Sequence, residues 1–345
     1  MNFKLIRDLL FLLPTETSHH LSMQSIGWLQ QMNLASLIAR QRVEDPVEVM
    51  GIQFPNRVGL AAGLDKDGAY MDGLSALGFG FLEVGTVTPL AQPGNAKPRL
   101  FRLPNEGAII NRMGFNNNGV DALVRRVRRS NFDGILGINI GKNKLTSAED
   151  TLDDYVTCLR KVYRQASYIT INISSPNTKD LRALQHGDEL SKLLEGVKIA
   201  HRELAEQQDR HVPLVVKIAP DMDDDEIRAV CEQLMAFDID GVIVSNTTVS
   251  RSEIDGARHA AETGGLSGAP LFEKSNHALQ AVVAEVQGKL AVIGVGGIMK
   301  GEDAATKIRL GADLVQIYTG FIYAGPDLVE SAALAIAGRE RLAKN

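Results

Sequence analysis

Short, mainly apolar runs recur along the chain at 58–60, 81–84, 136–140, 168–173, 214–218, 241–244, 291–293 and 314–317. Each is followed by a stretch whose apolar residues return every three or four positions. A strand covered on both faces reads as a continuous apolar run, and the longer period belongs to the helix that covers it. Eight such units of about 36 residues each predict an α/β fold of the (β/α)8 TIM-barrel type. An open, doubly wound sheet is the alternative, because strand order is not written in the chain.

Upstream, residues 47–54 alternate about Gly51 and predict a small hairpin. Phe3, Ile6, Leu9, Leu10 and Leu13 fall at helical spacing before Pro14. A second helix is expected from Thr17 or Ser18, with Leu21, Ile26, Leu29, Met32, Leu37 and Ile38 as its stripe and Trp28 alongside. A short helix cannot bury so wide a stripe by itself, so the main domain, a second subunit, a membrane surface or an apolar ligand must cover it. The chain therefore divides into a helical extension, 1–42, and a barrel domain, 43–345.

Composition narrows the partners. The 345 residues, 44% hydrophobic and 23% charged, exclude a disordered chain and allow one barrel with extensions. A net charge of −5 supplies no basic footprint, so no nucleic acid is expected. Cys158 and Cys231 stand alone in helical patterns, which argues against zinc and disulfides and fits a reducing compartment. No run reaches the ~18 apolar residues of a spanning helix, and the run at 9–13 is too short for a signal-peptide core.

The 32 glycines cluster in loops, and long insertions at 87–117, 174–188 and 246–272 all follow strand ends, where barrels assemble their sites. An extra strand is expected at 99–103. None of the seven histidines sits at a strand end, so no metal centre or histidine triad is expected; His186, in a loop, is the one outside possibility. Lys66 and Lys217 need an ion pair, a Schiff base, or a ligand that becomes anionic. Asn111, Asn172, Asn177 and Asn246 offer donor and acceptor together, which suits a small cyclic imide or amide. Gly294-Val295-Gly296-Gly297 and Tyr318-Thr319-Gly320, after the last two strands, suit a phosphate approached by backbone N–H groups.

Four segments carry a resemblance: Ala62-Gly63-Leu64-Asp65-Lys66-Asp67-Gly68, Asn111-Arg112-Met113-Gly114-Phe115-Asn116-Asn117, Asn172-Ile173-Ser174-Ser175-Pro176-Asn177-Thr178 and Ile293-Gly294-Val295-Gly296-Gly297-Ile298. Together they resemble dihydroorotate dehydrogenase over about 45–340, and specifically its class 2, quinone-dependent branch. Serine at position 175 and the helical extension decide the branch; class 1 relatives carry cysteine there. The resemblance implies oxidation of dihydroorotate to orotate in pyrimidine biosynthesis, with FMN as hydride acceptor and a quinone as final acceptor. It implies Ser175 as catalytic base. FMN would be held by Ala61, Ala62, Gly63, Leu64, Asp65, Lys66, Thr86, Asn139, Asn172, Lys217, Ser245, Gly268, Gly297, Tyr318 and Thr319. Substrate would meet Lys66, Asn111, Arg112, Met113, Gly114, Phe115, Asn172, Asn177, Asn246 and Thr247. Ser245 is a mild departure, since some relatives have threonine there.

The resemblance also makes 1–42 a membrane-facing quinone entrance, with peripheral attachment on the cytoplasmic side of the cell membrane. Residues 178–190, containing Gly187, are expected to act as a lid. The rival readings are a soluble class 1-like enzyme using fumarate or NAD, a phosphate-binding lyase with Lys217 as Schiff base, and a non-catalytic barrel.

Overall fold

The computed structural model describes residues 3–32, 34, 38–178 and 180–338. Two helices, α1 (Phe3–Phe11) and α2 (Thr15–Gln31), come first, followed by the hairpin β1 (Val47–Val49) and β2 (Ile52–Phe54). The second helix starts two to three residues earlier than expected, because Pro14 lies just outside it and cannot block it. Leu37 of the expected stripe lies outside the described residues.

The barrel strands are β3 (Val58–Leu60), β4 (Phe81–Val87), β7 (Ile135–Ile140), β8 (Tyr168–Asn172), β9 (Leu214–Ile218), β10 (Gly241–Val244), β12 (Ala291–Val295) and β13 (Leu314–Ile317). They close parallel in the order β3-β4-β7-β8-β9-β10-β12-β13 and back to β3, which rules out the open sheet. The covering helices are α3 (Met71–Ser75), α4 (Val120–Arg129), α5 (Thr151–Val162), α6 (Gly187–Gln208), α7 (Asp224–Ala236), α8 (Phe272–Val286), α9 (Gly301–Arg309), α10 (Thr319–Ala324) and α11 (Pro326–Ile336). Phe54, Phe81, Tyr168, Val215, Ile243, Ile293 and Leu314 pack inside the barrel, and the β1–β2 hairpin joins that cluster through Val49 and Phe54.

Three insertion strands were only partly legible. β5 (Leu100–Leu103), close to the expected 99–103, pairs with β6 (Ala108–Asn111), which pairs in turn with β11 (Gly265–Gly268). This antiparallel sheet joins the 87–117 and 246–272 insertions above the strand ends.

The extension packs on the barrel. Ile26 of α2 sits so close to Gly73 of α3 that a Cβ there would lie 2.4 Å from its side chain. Arg99 donates to Glu16 at 2.7 Å with both side chains largely buried, and Gln30 donates to Asp72 at 2.5 Å. One face of the pair stays uncovered: Leu5, Leu9, Leu12, Leu13, Leu21, Trp28, Met32 and Leu34 are all exposed. No helix among the described residues is long and apolar enough to cross a membrane.

Candidate active site

Parallel strands all end on the same face, so their last residues converge there. The result is a cleft of about 1000 Å³. Its wall brings together Ala61, Ala62, Gly63, Lys66, Thr86, Asn172, Lys217, Ser245, Gly268, Gly297, Tyr318 and Thr319. Asn111, Met113, Gly114, Phe115, Ser175, Asn177, Asn246 and Thr247 line it too. Thr86 is inside β4, and Gly294 and Val295 are inside β12, so only Gly296 and Gly297 follow that strand.

Four sequence-derived residues lie off the wall. Leu64 points into a second, apolar cavity. Asp65 is buried and accepts from the backbone N–H groups of Ala69 (2.9 Å) and Tyr70 (2.8 Å), shaping the loop before α3. Asn139 is fully buried beneath the wall and accepts from Thr86 Oγ1 at 2.6 Å. Arg112 turns outward, pairing with Glu262 at 2.6 Å and stacking over Phe101. The structure adds Ser267, Leu271, Met299 and Gln316 to the wall. Of these, Ser267 accepts from Thr319 Oγ1 at 2.8 Å, on a strand whose pairing the sequence did not reveal.

The two lysines differ. Lys66 Nζ donates to Gly63 O at 2.6 Å, and burial, with Arg99 nearby, pushes its pKa down to about 8. Lys217 is buried, and no hydrogen-bond or ion-pair partner reaches it among the described residues; burial lowers its pKa, opposed by the Glu83 charge. Gln316 Oε1 is a second buried polar atom without a partner. Such atoms are costly unless something in the cleft satisfies them.

At the glycine-lined end, Gly297 has φ +74°, and a Cβ there would fall 2.3 Å from Phe272 Cα, so only glycine lets this backbone run against α8. Opposite, Ser175 is buried in the loop after β8 and its Oγ accepts from the Asn177 N–H at 3.2 Å. Asn177 Nδ2 reaches the Asn111 carbonyl at 3.1 Å, and Asn246 Nδ2 reaches Ser174 Oγ at 2.9 Å. The asparagines are thus fixed by the protein before any ligand arrives.

The expected lid divides at Gly187, where α6 begins. Its first half is docked: Arg182 donates to Ser174 O (3.1 Å), Asp221 (2.8 Å) and Thr247 O (2.9 Å). No cluster of metal-binding side chains occurs among the described residues, and His186 faces Glu226 at 3.7 Å.

The second cavity, about 1570 Å³, lies between the extension and the barrel. Phe3, Ile6, Leu10, Phe11, Met23, Ile26, Leu29, Leu64, Leu77, Ile109 and Phe321 give it a mainly apolar wall, interrupted by Arg7, His19, Arg40 and Arg102 and by the hydroxyls of Thr15, Ser18, Ser22 and Ser25. His19 was not singled out by sequence, because its place depends on how α2 docks. Burial and the nearby Lys66 charge push its pKa down to about 3, so it is neutral at pH 7. Arg102 stacks on Phe11 at 4.4 Å and keeps Nη1 buried without a partner.

A polar cleft at the strand ends of a parallel barrel is where enzymes of this fold bind small molecules. The sequence model of the Dihydroorotate dehydrogenase family matches residues 46–337, and the chain belongs to that family of oxidoreductases. A relative from Saccharophagus degradans, named dihydroorotate dehydrogenase (quinone), is 55% identical, with 97% of this chain and 99% of the relative aligned. One of the same name from Cellvibrio japonicus is 56% identical, over 96% and 97%. The solved structure of DHODH in complex with ferulenol from Eimeria tenella is 37% identical, with TM-score 0.85 over 92% of this chain and 90% of that one.

Proposed function

We propose that the strand-end cleft holds FMN and dihydroorotate together, that the chain oxidises dihydroorotate to orotate there, and that a quinone reaches the flavin through the second cavity. The observation that carries this reading is that one cleft wall combines Lys217, a buried residue whose ammonium has no partner among the described residues, and Gln316, whose Oε1 has none, with the glycine backbone of Gly296 and Gly297. A flat ring with donors and acceptors on its edge and an anionic phosphate tail satisfies both features at once. FMN, when bound, takes the hydride and passes electrons to the quinone.

The residues of the chain do the rest. Ser175 takes the proton from the ring carbon beside a carbonyl while its own hydroxyl proton passes onward to solvent, so the serine ends neutral. A serine hydroxyl is a weak base in water, so it needs a site closed during the step and a donor that steadies its oxygen while the two protons move; the Asn177 N–H is in place for that. Lys66 supplies positive charge to an anionic substrate, and Asn111, Asn172, Asn177 and Asn246 hold its amide edges. Lys217, in the cleft wall, would stabilise negative charge on a ring bound there. Gly297 and Thr319 hold the phosphate. Docking of 181–185 through Arg182 shuts out water, and Lys179 of the same segment lies outside the described residues.

The exposed apolar face of α1 and α2 rests on a membrane, as a peripheral attachment on the cytoplasmic side. Residues 1–42 are then a quinone-access unit and 43–345 the catalytic domain. An absorption spectrum of the purified protein tests the core of this reading. Flavin bands that bleach on anaerobic addition of dihydroorotate are expected; a protein that binds no FMN on reconstitution overturns it.

A further inference from the structure

The centre of the barrel holds a carboxylate that the reaction does not use. Glu83 lies in β4 with apolar neighbours along the strand and no exposed surface. No lysine or arginine pairs with it among the described residues. Its oxygens instead accept from four neutral donors: Asn139 Nδ2 at 2.8 Å on Oε1, and Tyr168 OH at 2.8 Å, Gln316 Nε2 at 2.7 Å and Thr170 Oγ1 at 3.2 Å on Oε2.

We propose that Glu83 is a positioning residue that fixes which way the amides of the cleft face, and so which edge of a ligand they accept. Both of its oxygens accept and neither donates, so every group around it must present a donor. Asn139 therefore turns its nitrogen to Glu83 and its oxygen to Thr86 Oγ1 and Asn172 Nδ2 (3.2 Å). Asn172, with its nitrogen committed there, turns its oxygen to the Ser174 N–H and hydroxyl, both at 3.2 Å. Ser174 Oγ, now a donor to Asn172, accepts from Asn246 Nδ2, and Asn246 Oδ1 takes the Thr247 N–H at 2.8 Å. On the other branch, Gln316 gives its nitrogen to Glu83 and leaves Oε1 without a partner. One acceptor at the barrel centre thus sets the polarity of a chain that ends on residues of the cleft wall. The same anion works against the burial that lowers the pKa of Lys217.

The proposal rests on the cleft being the flavin and orotate site, and its test separates the two ideas. Orotate is titrated into the wild-type holoenzyme and followed through flavin absorbance; a wild type whose spectrum ignores orotate overturns the reading of the cleft. Glu83→Gln keeps the shape; its single oxygen stays with the three donors Tyr168, Thr170 and Gln316, which turns its NH2 toward Asn139 Nδ2, and turning Asn139 over passes the mismatch to Asn172. Orotate is expected to bind at least ~10-fold more weakly. Adding Asn139→Asp restores an acceptor toward Thr86 and Asn172 while the new glutamine donates to it, with the charge of the pair unchanged. The double variant is expected within about threefold of wild type. Thr170→Val removes one donor from the oxygen that does not face Asn139, and is expected within about twofold.

A simple packing role predicts the opposite order, with the double variant no better than Glu83→Gln. That order, or a Glu83→Gln protein within about twofold of wild type, overturns the proposal. If Glu83→Gln yields no flavoprotein, the double variant decides alone: tight orotate binding supports the proposal, and its loss overturns it.

Discussion

The two cavities of this molecule are organised by opposite means. The strand-end cleft is set by hydrogen bonds: its asparagines are oriented by one another, by backbone and by a buried carboxylate. The cavity under the extension is set by shape, with a mainly apolar wall interrupted by polar points such as His19 and Arg102. Hydrogen-bonded sites discriminate strongly, because a wrong ligand leaves buried groups unpaired. Apolar sites discriminate weakly between similar greasy molecules. The proposed function, with a pyrimidine in the cleft and a quinone in the second cavity, matches these two designs.

The comparison predicts that damage on one side spares the other. The largest effect is expected from Ser175→Ala, which should slow flavin reduction by dihydroorotate by about 10²–10⁴-fold in rapid-mixing experiments with flavin still bound. Reoxidation of chemically reduced enzyme by quinone should be unchanged. Removing residues 1–42 should do the reverse, lowering quinone-linked turnover at least ~10-fold while flavin reduction by dihydroorotate stays within a few-fold in the same instrument. Loss of both half-reactions together would break the comparison.

A smaller effect concerns pH. Lys66 is charged below a pKa of about 8, so orotate affinity should hold steady up to that pH and then weaken, by at most about tenfold per unit, as the ammonium loses its proton. Lys66→Met should bind more weakly and lose the break, as read by flavin absorbance titration. The quinone side, which meets neutral His19, should show no matching break near pH 8.

All eight barrel strands were legible, six of them to within a residue at each end, since strands buried on both faces are continuous apolar runs; β4 and β12 run on through Thr86 and through Gly294 and Val295, where the apolar pattern is broken. β6 and β11 were not, because four-residue segments take their strand character from partners: β6 from the neighbouring β5, and β11 (Gly265–Gly268) from β6 about 150 residues away. Most wall residues were found by combining strand ends with motif resemblance. Leu64, Asp65, Asn139 and Arg112 came along because a motif does not say which of its neighbours faces the ligand. Glu83 left a signal that went unread, a lone charge within an otherwise apolar strand. His19 left none, since nothing in α2 says that it will come to lie near Lys66.

The partition between the two cavities is made of neighbouring residues: Gly63 faces one and Leu64 the other, and Gly320 and Phe321 divide in the same way. On the proposed function, a wall one residue thick would keep the reductant and the oxidant apart. Neither guest would then have to leave before the other arrives, and traffic would run on two doors rather than one queue.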